Sequence, residues 1–365
     1  MNIPAPDYVR AIAPYIAGKP ISELAREYGL DEARIIKLAS NENPLGIPDS
    51  ARAAMIAEAA ELSRYPDSNG FELKVAISRR YSVPSDWITL GNGSNDNLEL
   101  IAHALLQPGA SAVYSQYSFA VYALATQATG ARAIVVPARD HGHDLQAMRA
   151  SIATDTRIVF VANPNNPTGT HIPRDEITAF IASVPSDVVV VLDEAYDEYL
   201  EPELASDSLA RVADHPNLIV CRTFSKAYGL AGLRVGFAIA HPALTDLMNR
   251  VRQPFNVNSV ALAAAAAVLE DEPYLQRSRE MNRSGLQRLQ TAFERMGLEY
   301  VPSSGNFVLV RVGDAAAVNE SLLRAGIIVR PVANYSLPEW LRISVGLPEE
   351  NEAFLQAFER AMGRQ

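Results

Sequence analysis

The sequence predicts an α/β protein. A larger domain, built on a mainly parallel sheet flanked by helices, precedes a smaller α+β domain. Three observations carry this reading. Residues 158–162 (Ile-Val-Phe-Val-Ala) and 188–192 (Val-Val-Val-Val-Leu) are short, almost wholly apolar runs rich in β-branched side chains. Such runs fit strands buried on both faces of a parallel sheet. Between them, Arg174–Ser183 has helical composition, which gives the strand–helix–strand order of an α/β layer. Near the C-terminus the pattern changes. Residues 307–312, 326–330 and 341–345 read as strands, and Phe354, Leu355, Phe358, Ala361 and Met362 form the apolar face of a final helix.

The elements follow in order. Residues 1–38 carry Pro4, Pro6, Pro14 and Pro20 around Tyr8 and Tyr15, which predicts an arm and then a short helix near 22–28. Gly91-Asn92-Gly93-Ser94-Asn95-Asp96 is a glycine-rich turn opening a helix expected over 97–106. After the runs at 158–162 and 188–192, further strands are expected at 218–221 and 235–240, with an alanine-rich helix over 261–269. We divide the chain into an arm (1–38), a larger domain (39–255) and a smaller domain (256–365).

Composition narrows the function. With 365 residues, 48% hydrophobic and 20% charged, the chain can bury a large core and reads as globular and soluble. A net charge of −10 without a basic run argues against nucleic acid as a partner. Any anionic substrate then needs local arginines to offset the overall field. Cys221 is the one cysteine, so neither an intrachain disulfide nor a cysteine metal cluster is expected, and the histidines show no zinc spacing. The N-terminus has no basic-then-apolar leader and no apolar run is long enough to span a bilayer, so no membrane role and a cytoplasmic location are expected.

The chemistry concentrates in segments that follow predicted strands, where open α/β sheets bind ligands. Thr223-Phe224-Ser225-Lys226-Ala227-Tyr228-Gly229 runs on to Arg234. An apolar, glycine-punctuated setting disfavours the Lys226 ammonium and favours a nucleophilic amine that can hold an aldehyde as a Schiff base. Thr223, Ser225 and Arg234 can hold a phosphate beside it. Pyridoxal 5′-phosphate (PLP) carries both groups. Asp193 ends the run at 188–192; it is either a helix cap or a carboxylate that keeps a pyridine nitrogen protonated. Tyr196, three residues on, either packs in the core or reaches the same ring's oxygen. Asn166, in Asn163-Pro164-Asn165-Asn166-Pro167-Thr168-Gly169, sits in a segment that alone reads as a polar turn, yet its amide can serve that oxygen too. Ser94 is either an N-cap or, with its glycine-rich turn, a phosphate donor.

The order of these motifs closely resembles the fold type I PLP-dependent aminotransferases, over nearly the whole chain from Asn41-Glu42-Asn43-Pro44 to Leu341-Arg342-Ile343-Ser344-Val345-Gly346. The resemblance implies a mainly parallel seven-stranded sheet in the larger domain. It makes Lys226 the Schiff-base lysine and Asp193 the partner of the pyridine nitrogen. Asn166 and Tyr196 would bind the ring oxygen, Phe119 would stack on the ring rather than the nearby Tyr117, and Ser94, Asn95, Thr223, Ser225 and Arg234 would surround the phosphate. It also implies a homodimer in which Tyr65, in Arg64-Tyr65-Pro66-Asp67, reaches the neighbouring subunit's cofactor.

Further stretches, including Ser40-Asn41-Glu42-Asn43-Pro44-Leu45-Gly46 and Gly326-Ile327-Ile328-Val329-Arg330-Pro331-Val332, resemble the histidinol-phosphate branch of that family. That branch exchanges an amino group between a phosphorylated amino alcohol, L-histidinol phosphate, and 2-oxoglutarate, giving imidazole acetol phosphate and glutamate. Arg342 and Arg330 would then bind the substrate phosphate, Tyr15 would close over the substrate, and no metal is required. For Arg330 the plain alternative is a surface ion pair. An aromatic amino acid aminotransferase and a lyase resembling threonine-phosphate decarboxylase share the scaffold and stand as alternatives. A regulator without activity ranks behind both. Asn256, Asn258 and Asn306 are candidate pocket residues without assigned contacts.

Overall fold

The structure is a computed structural model and describes residues 3–15 and 18–363. Its larger sheet has seven strands. From one edge they run Ile88–Gly91, Gly236–Ala240, Leu218–Thr223, Val189–Asp193, Thr156–Ala162, Ser111–Ser115 and Arg132–Val136. Five neighbours, from Leu218–Thr223 to Arg132–Val136, are mutually parallel. Gly236–Ala240 is antiparallel to both of its neighbours, so Ile88–Gly91 points the same way as those five. Six strands therefore end on one side of the sheet. The central ones are buried throughout apart from Arg157, as the apolar runs at their cores require.

The chain builds outward from Ser111–Ser115 to Arg132–Val136 and then returns to its other flank with Thr156–Ala162. That reversal opens a crevice at the carboxyl ends of the strands. Ile88–Gly91, Ser111–Ser115 and Arg132–Val136 are strands that the sequence reading passed over. Arg132–Val136 is an edge strand with mixed burial, and the other two are interrupted by Ser, Thr or Gly, which hides their periodicity.

The smaller sheet is antiparallel, in the order Arg330–Pro331, Trp340–Ser344, Phe307–Arg311, Tyr300–Val301. Helices Glu272–Arg295, Ala315–Arg324 and Pro348–Ala361 supply the other half of its core, with Leu289, Phe293, Leu322, Phe354 and Phe358 at its centre. The strand expected over 326–330 is split. Ile327–Ile328 pairs in parallel with Ile36–Lys37, while Arg330–Pro331 joins the smaller sheet. The segment after the arm is thereby tied to the C-terminal part of the chain.

The alanine-rich helix, observed as Ser259–Val268, is capped by Asn258 Oδ1 accepting from the Ala261 amide. Ala261, Ala264 and Ala265 belong to the core of the larger sheet, although they lie beyond residue 255. The changeover falls along Glu272–Arg295: Tyr274 and Leu275 pack with the larger core, and Leu286 and Leu289 with the smaller. Pro273 in its first turn and the Asp271 side chain accepting from the Tyr274 amide start that helix. Among the described residues no helix is long and apolar enough to cross a membrane.

Candidate active site

Each site segment leaves the carboxyl end of a strand. Phe119 follows Ser111–Ser115, Asn166 follows Thr156–Ala162, Asp193 ends its own strand, and Ser225 and Lys226 follow Leu218–Thr223. Ile88–Gly91 delivers the helix Ser94–Leu105 to the same edge. This helix starts three residues earlier than expected, with Gly93 as its N-cap, so Ser94 is its first residue rather than its cap. Gly93 has φ +87°, and a Cβ there would lie 2.5 Å from Arg234 Nη2. Gly236 is as constrained, since a Cβ would lie 2.6 Å from the Ser94 amide nitrogen. Both glycines let the helix N-terminus close on the cavity.

These segments enclose a cavity of about 350 Å³. It is lined by Ser94, Asn95, Phe119, Asn166, Asp193, Tyr196, Thr223, Ser225, Lys226 and Arg234 from the larger domain's side, and by Arg330, Arg342 and Tyr15. Tyr117 lies elsewhere, stacked near His141 at 5.9 Å. Tyr65 is also outside this cavity. It is 82% exposed and stacks on Phe255 at 4.7 Å. Of the asparagines without assigned contacts, none lines the cavity. Asn256 Nδ2 bonds the Leu90 carbonyl and Asp96, Asn258 caps a helix, and Asn306 Nδ2 donates to the Asn41 carbonyl.

Lys226 Nζ donates to the Ser40 carbonyl at 3.1 Å. Burial lowers its pKa to about 8, with the Arg342 and Arg234 guanidiniums acting in the same direction. The apolar setting read from the sequence thus yields an amine poised near neutrality. Asp193 Oδ2 accepts a 2.8 Å bond from the Tyr122 hydroxyl. Asp193 Oδ1 is buried and has no hydrogen-bond partner among the described residues. Burial pushes this carboxyl up to about 6, against the opposing pull of the Tyr122 bond, the Ala195 backbone amide and Lys226. A carboxylate so placed calls for a cationic N–H donor.

Tyr196 is held by Asn41, whose Nδ2 donates to its hydroxyl at 2.9 Å, and burial raises its pKa to about 12. Asn41 is itself clamped to the smaller sheet, its amide and Oδ1 both bonded to Ser344 Oγ at 2.9 Å. Arg342 Nη1 donates to Asn166 Oδ1 at 2.6 Å and Nη2 to the Ala39 carbonyl at 2.8 Å. A guanidinium only donates, so this contact fixes the Asn166 amide and leaves its Nδ2 as a donor. Arg330 is 9% exposed, so it is not a surface ion pair. It is the register partner of Arg342 on the neighbouring antiparallel strand. Two buried guanidiniums side by side on one face suit an anion placed between them. The sequence reading assigned no role to Asn41 or Tyr122. Asn41 opens a quoted motif and Tyr122 lies three residues after Phe119, but their partners lie 155 and 71 residues away.

The cavity thus combines a poised amine, a carboxylate oxygen without a partner, a hydroxyl-rich cup beside Arg234 and the Arg330–Arg342 pair. Comparison with known proteins agrees with this arrangement. The chain is 68% identical over 361 residues to histidinol-phosphate aminotransferase 1 of Cupriavidus pinatubonensis, covering 98% of this chain and 96% of that one. It is 65% identical over 363 residues to histidinol-phosphate aminotransferase 2 of Ralstonia nicotianae, covering 98% and 97%. The crystal structure of histidinol-phosphate aminotransferase from Sinorhizobium meliloti in complex with pyridoxal-5′-phosphate superposes with a TM-score of 0.90 at 29% identity, covering 98% of this chain and 96% of that one. L-threonine-O-3-phosphate decarboxylase from Porphyromonas gingivalis, at 23% identity and a TM-score of 0.80 (90% of this chain, 100% of that one), shares the fold. The family model for aminotransferase class I and II matches residues 33–358, the span that holds the whole cavity apart from Tyr15 and Gly18, and the chain belongs to that family.

Proposed function

We propose that this protein is a PLP-dependent aminotransferase that interconverts L-histidinol phosphate and 2-oxoglutarate with imidazole acetol phosphate and L-glutamate, as a cytoplasmic enzyme of histidine biosynthesis. The observation that carries the reading is the presence of two separate anion-binding groups in one cavity with Lys226. One is the cup of Ser94, Asn95, Thr223, Ser225 and Arg234. The other is the Arg330–Arg342 pair. One suits the cofactor phosphate and the other the phosphate of a substrate. Relatives 68% and 65% identical over 98% of the chain are named histidinol-phosphate aminotransferases, which supports the reading.

The residues present fit PLP. The unpartnered Asp193 Oδ1 answers a protonated ring nitrogen, Asn166 Nδ2 and the Tyr196 hydroxyl answer the ring oxygen, and the flat Phe119 ring answers the ring face. When bound, the cofactor supplies the electron sink that stabilises a substrate carbanion and stores the amino group. The protein's part is positional and acid–base. With the cofactor bound, Lys226 would take the proton from the substrate α-carbon as a base and deliver it as an acid to the cofactor carbon that receives the amino group; a pKa near 8 suits both duties. Asp193 holds the ring's charge. Arg330 and Arg342 orient the substrate, with Tyr15, whose ring lies 5.6 Å from the Arg330 guanidinium, as a cover.

We further propose that the working form is a homodimer in which Tyr65 completes the partner's site. Its exposure, and that of Leu62, Phe71 and Phe255 around it, supports a covered surface. Mixing inactive Lys226→Ala with impaired Tyr65→Ala subunits should restore activity, because one site in each mixed dimer is then intact; no recovery would sink the shared site.

The substrate is tested by offering histidinol phosphate, phenylalanine, tyrosine, aspartate and threonine phosphate separately to the PLP form and following the cofactor absorbance. Histidinol phosphate should convert it fastest. Conversion no faster than with phenylalanine would replace this substrate by an aromatic amino acid. Release of CO₂ from threonine phosphate without a keto acceptor would make the protein a lyase.

A further inference from the structure

We propose that Tyr122 is a positioning residue of this site: its hydroxyl engages Asp193 Oδ2 and so presents Oδ1 as the one carboxylate oxygen that meets the cofactor's ring nitrogen. The inference rests on the reading of the cavity as a PLP site.

Tyr122 does not line the cavity and acts through Asp193 alone. It sits in the first turn of the helix Ala120–Ala128 and is fully buried. Its ring lies flat on Phe160, with centroids 4.8 Å apart and planes 4° from parallel. It meets Phe119 edge-on at 6.1 Å and 90°. Packed against both rings, the phenol has little freedom to swing away, and its hydroxyl stays 2.8 Å from Asp193 Oδ2. A carboxylate in an apolar wall has two escapes. It can turn about its last bond and exchange its oxygens, or it can take up a proton. The Tyr122 hydroxyl opposes both, because a hydrogen bond donated to Oδ2 holds the rotamer and favours the ionised form.

The donor is not interchangeable with its acceptor. Burial, with Asp193 beside it, holds the Tyr122 phenol well above its ordinary pKa, so it remains protonated. The other groups facing Asp193 are Cys221, its register partner on the next strand, together with Tyr196 and Lys226. Burial pushes the Cys221 thiol up and the Tyr196 phenol to about 12, so both stay neutral. Of these four neighbours Lys226 alone changes charge near neutrality, at about 8. Of these four side chains, Tyr122 is therefore the one that donates to Asp193 at every working pH, beside the Ala195 backbone amide.

Tyr122→Phe keeps the ring and its stacking and removes only the hydroxyl. Dissociation constants of PLP and of its 1-deaza analogue, in which carbon replaces the ring nitrogen, are measured for the full-length wild type and variant by fluorescence titration. The preference of the wild type for PLP over the analogue should fall about tenfold in the variant, equivalent to about 1.4 kcal/mol. A residue that merely supports the fold would weaken both ligands alike. An unchanged preference therefore overturns the proposal. A wild type that binds neither ligand overturns the PLP reading itself, and the proposal with it. If far-UV circular dichroism shows the Phe variant unfolded, Tyr122→His, which returns a donor, takes its place. It should keep the wild-type preference to within about threefold; a fall to the level of Asp193→Asn would overturn the proposal.

Discussion

Replacing Lys226 by methionine should stabilise the cofactor-free protein, and the effect can be sized from the site. Methionine preserves the length and much of the apolar stem but carries no charge. An exposed lysine has a pKa of 10.5, while burial beside Arg342 and Arg234 lowers Lys226 to about 8. Converted at about 1.4 kcal/mol per factor of ten, the folded protein loses about 3 kcal/mol by keeping this ammonium charged. The amine retains some access to the cavity, so about 2 kcal/mol is the working figure. The pH dependence follows. Because the folded pKa lies below the unfolded one, the cost is complete below pH 8 and fades as pH rises from about 8 to 10.5. The melting temperatures of cofactor-free wild type and Lys226→Met are compared from pH 6.5 to 10. Groups common to both proteins cancel in the difference. The variant should melt higher by on the order of 2–5 °C near pH 7 and lose that margin by pH 10. An absent margin at pH 7, or one that persists unchanged to pH 10, would refute the argument that burial activates this amine.

Three further outcomes follow from particular contacts. Arg222 is buried among Glu194, Asp197 and Glu198 at 2.6–3.0 Å, so Arg222→Leu should cost about 3–5 kcal/mol in denaturant unfolding at pH 7.5. That loss should shrink toward pH 5, because burial already holds Glu194 up at about 7 and its protonation relieves the unpaired charge. Gly93→Ala combines φ +87° with a Cβ 2.5 Å from Arg234 Nη2, and should weaken PLP binding at least about tenfold in a cofactor titration. Arg342→Lys loses the fork that spans Asn166 and Ala39; KM for the phosphorylated substrate should rise about tenfold or more, with a smaller loss of cofactor affinity through the loosened Asn166 amide.

The proposed cofactor half of the candidate site was legible because a parallel sheet places consecutive strand ends on one edge. Asn166, Asp193 and Lys226 each follow an apolar run visible in the sequence, so local pattern and global position coincide. The substrate half obeys a different rule. Arg330 and Arg342 meet through antiparallel register across a turn, and Arg330–Pro331 is too short to announce itself as a strand. Only the resemblance to relatives marked them. Tyr122 and Asn41 were invisible for a related reason. A tyrosine one turn into a helix reads as core until its distant partner is known, and Asn41 depends on Ser344, 303 residues away. Long-range hydrogen bonds of this kind orient a site without leaving a local signature.

Charge is the property least evident from the composition and most decisive in the cavity. The chain carries −10 overall, yet the cavity lining has Lys226, Arg234, Arg330 and Arg342 against Glu42 and Asp193, an excess of two positive charges. The acids behind the overall figure lie elsewhere. Many sit on exposed helices, and three surround Arg222 in the larger domain. Exposed charges beyond about 8 Å are largely screened at physiological salt, whereas buried neighbours are not. The local arginines therefore set the potential that a bound phosphate would feel, and on the proposed reading a second phosphate in the same cavity would be served by the Arg330–Arg342 pair rather than by Arg234. On the proposed reading, the division of these cations into two groups, more than their number, would let one cavity accommodate both a phosphorylated cofactor and a phosphorylated substrate.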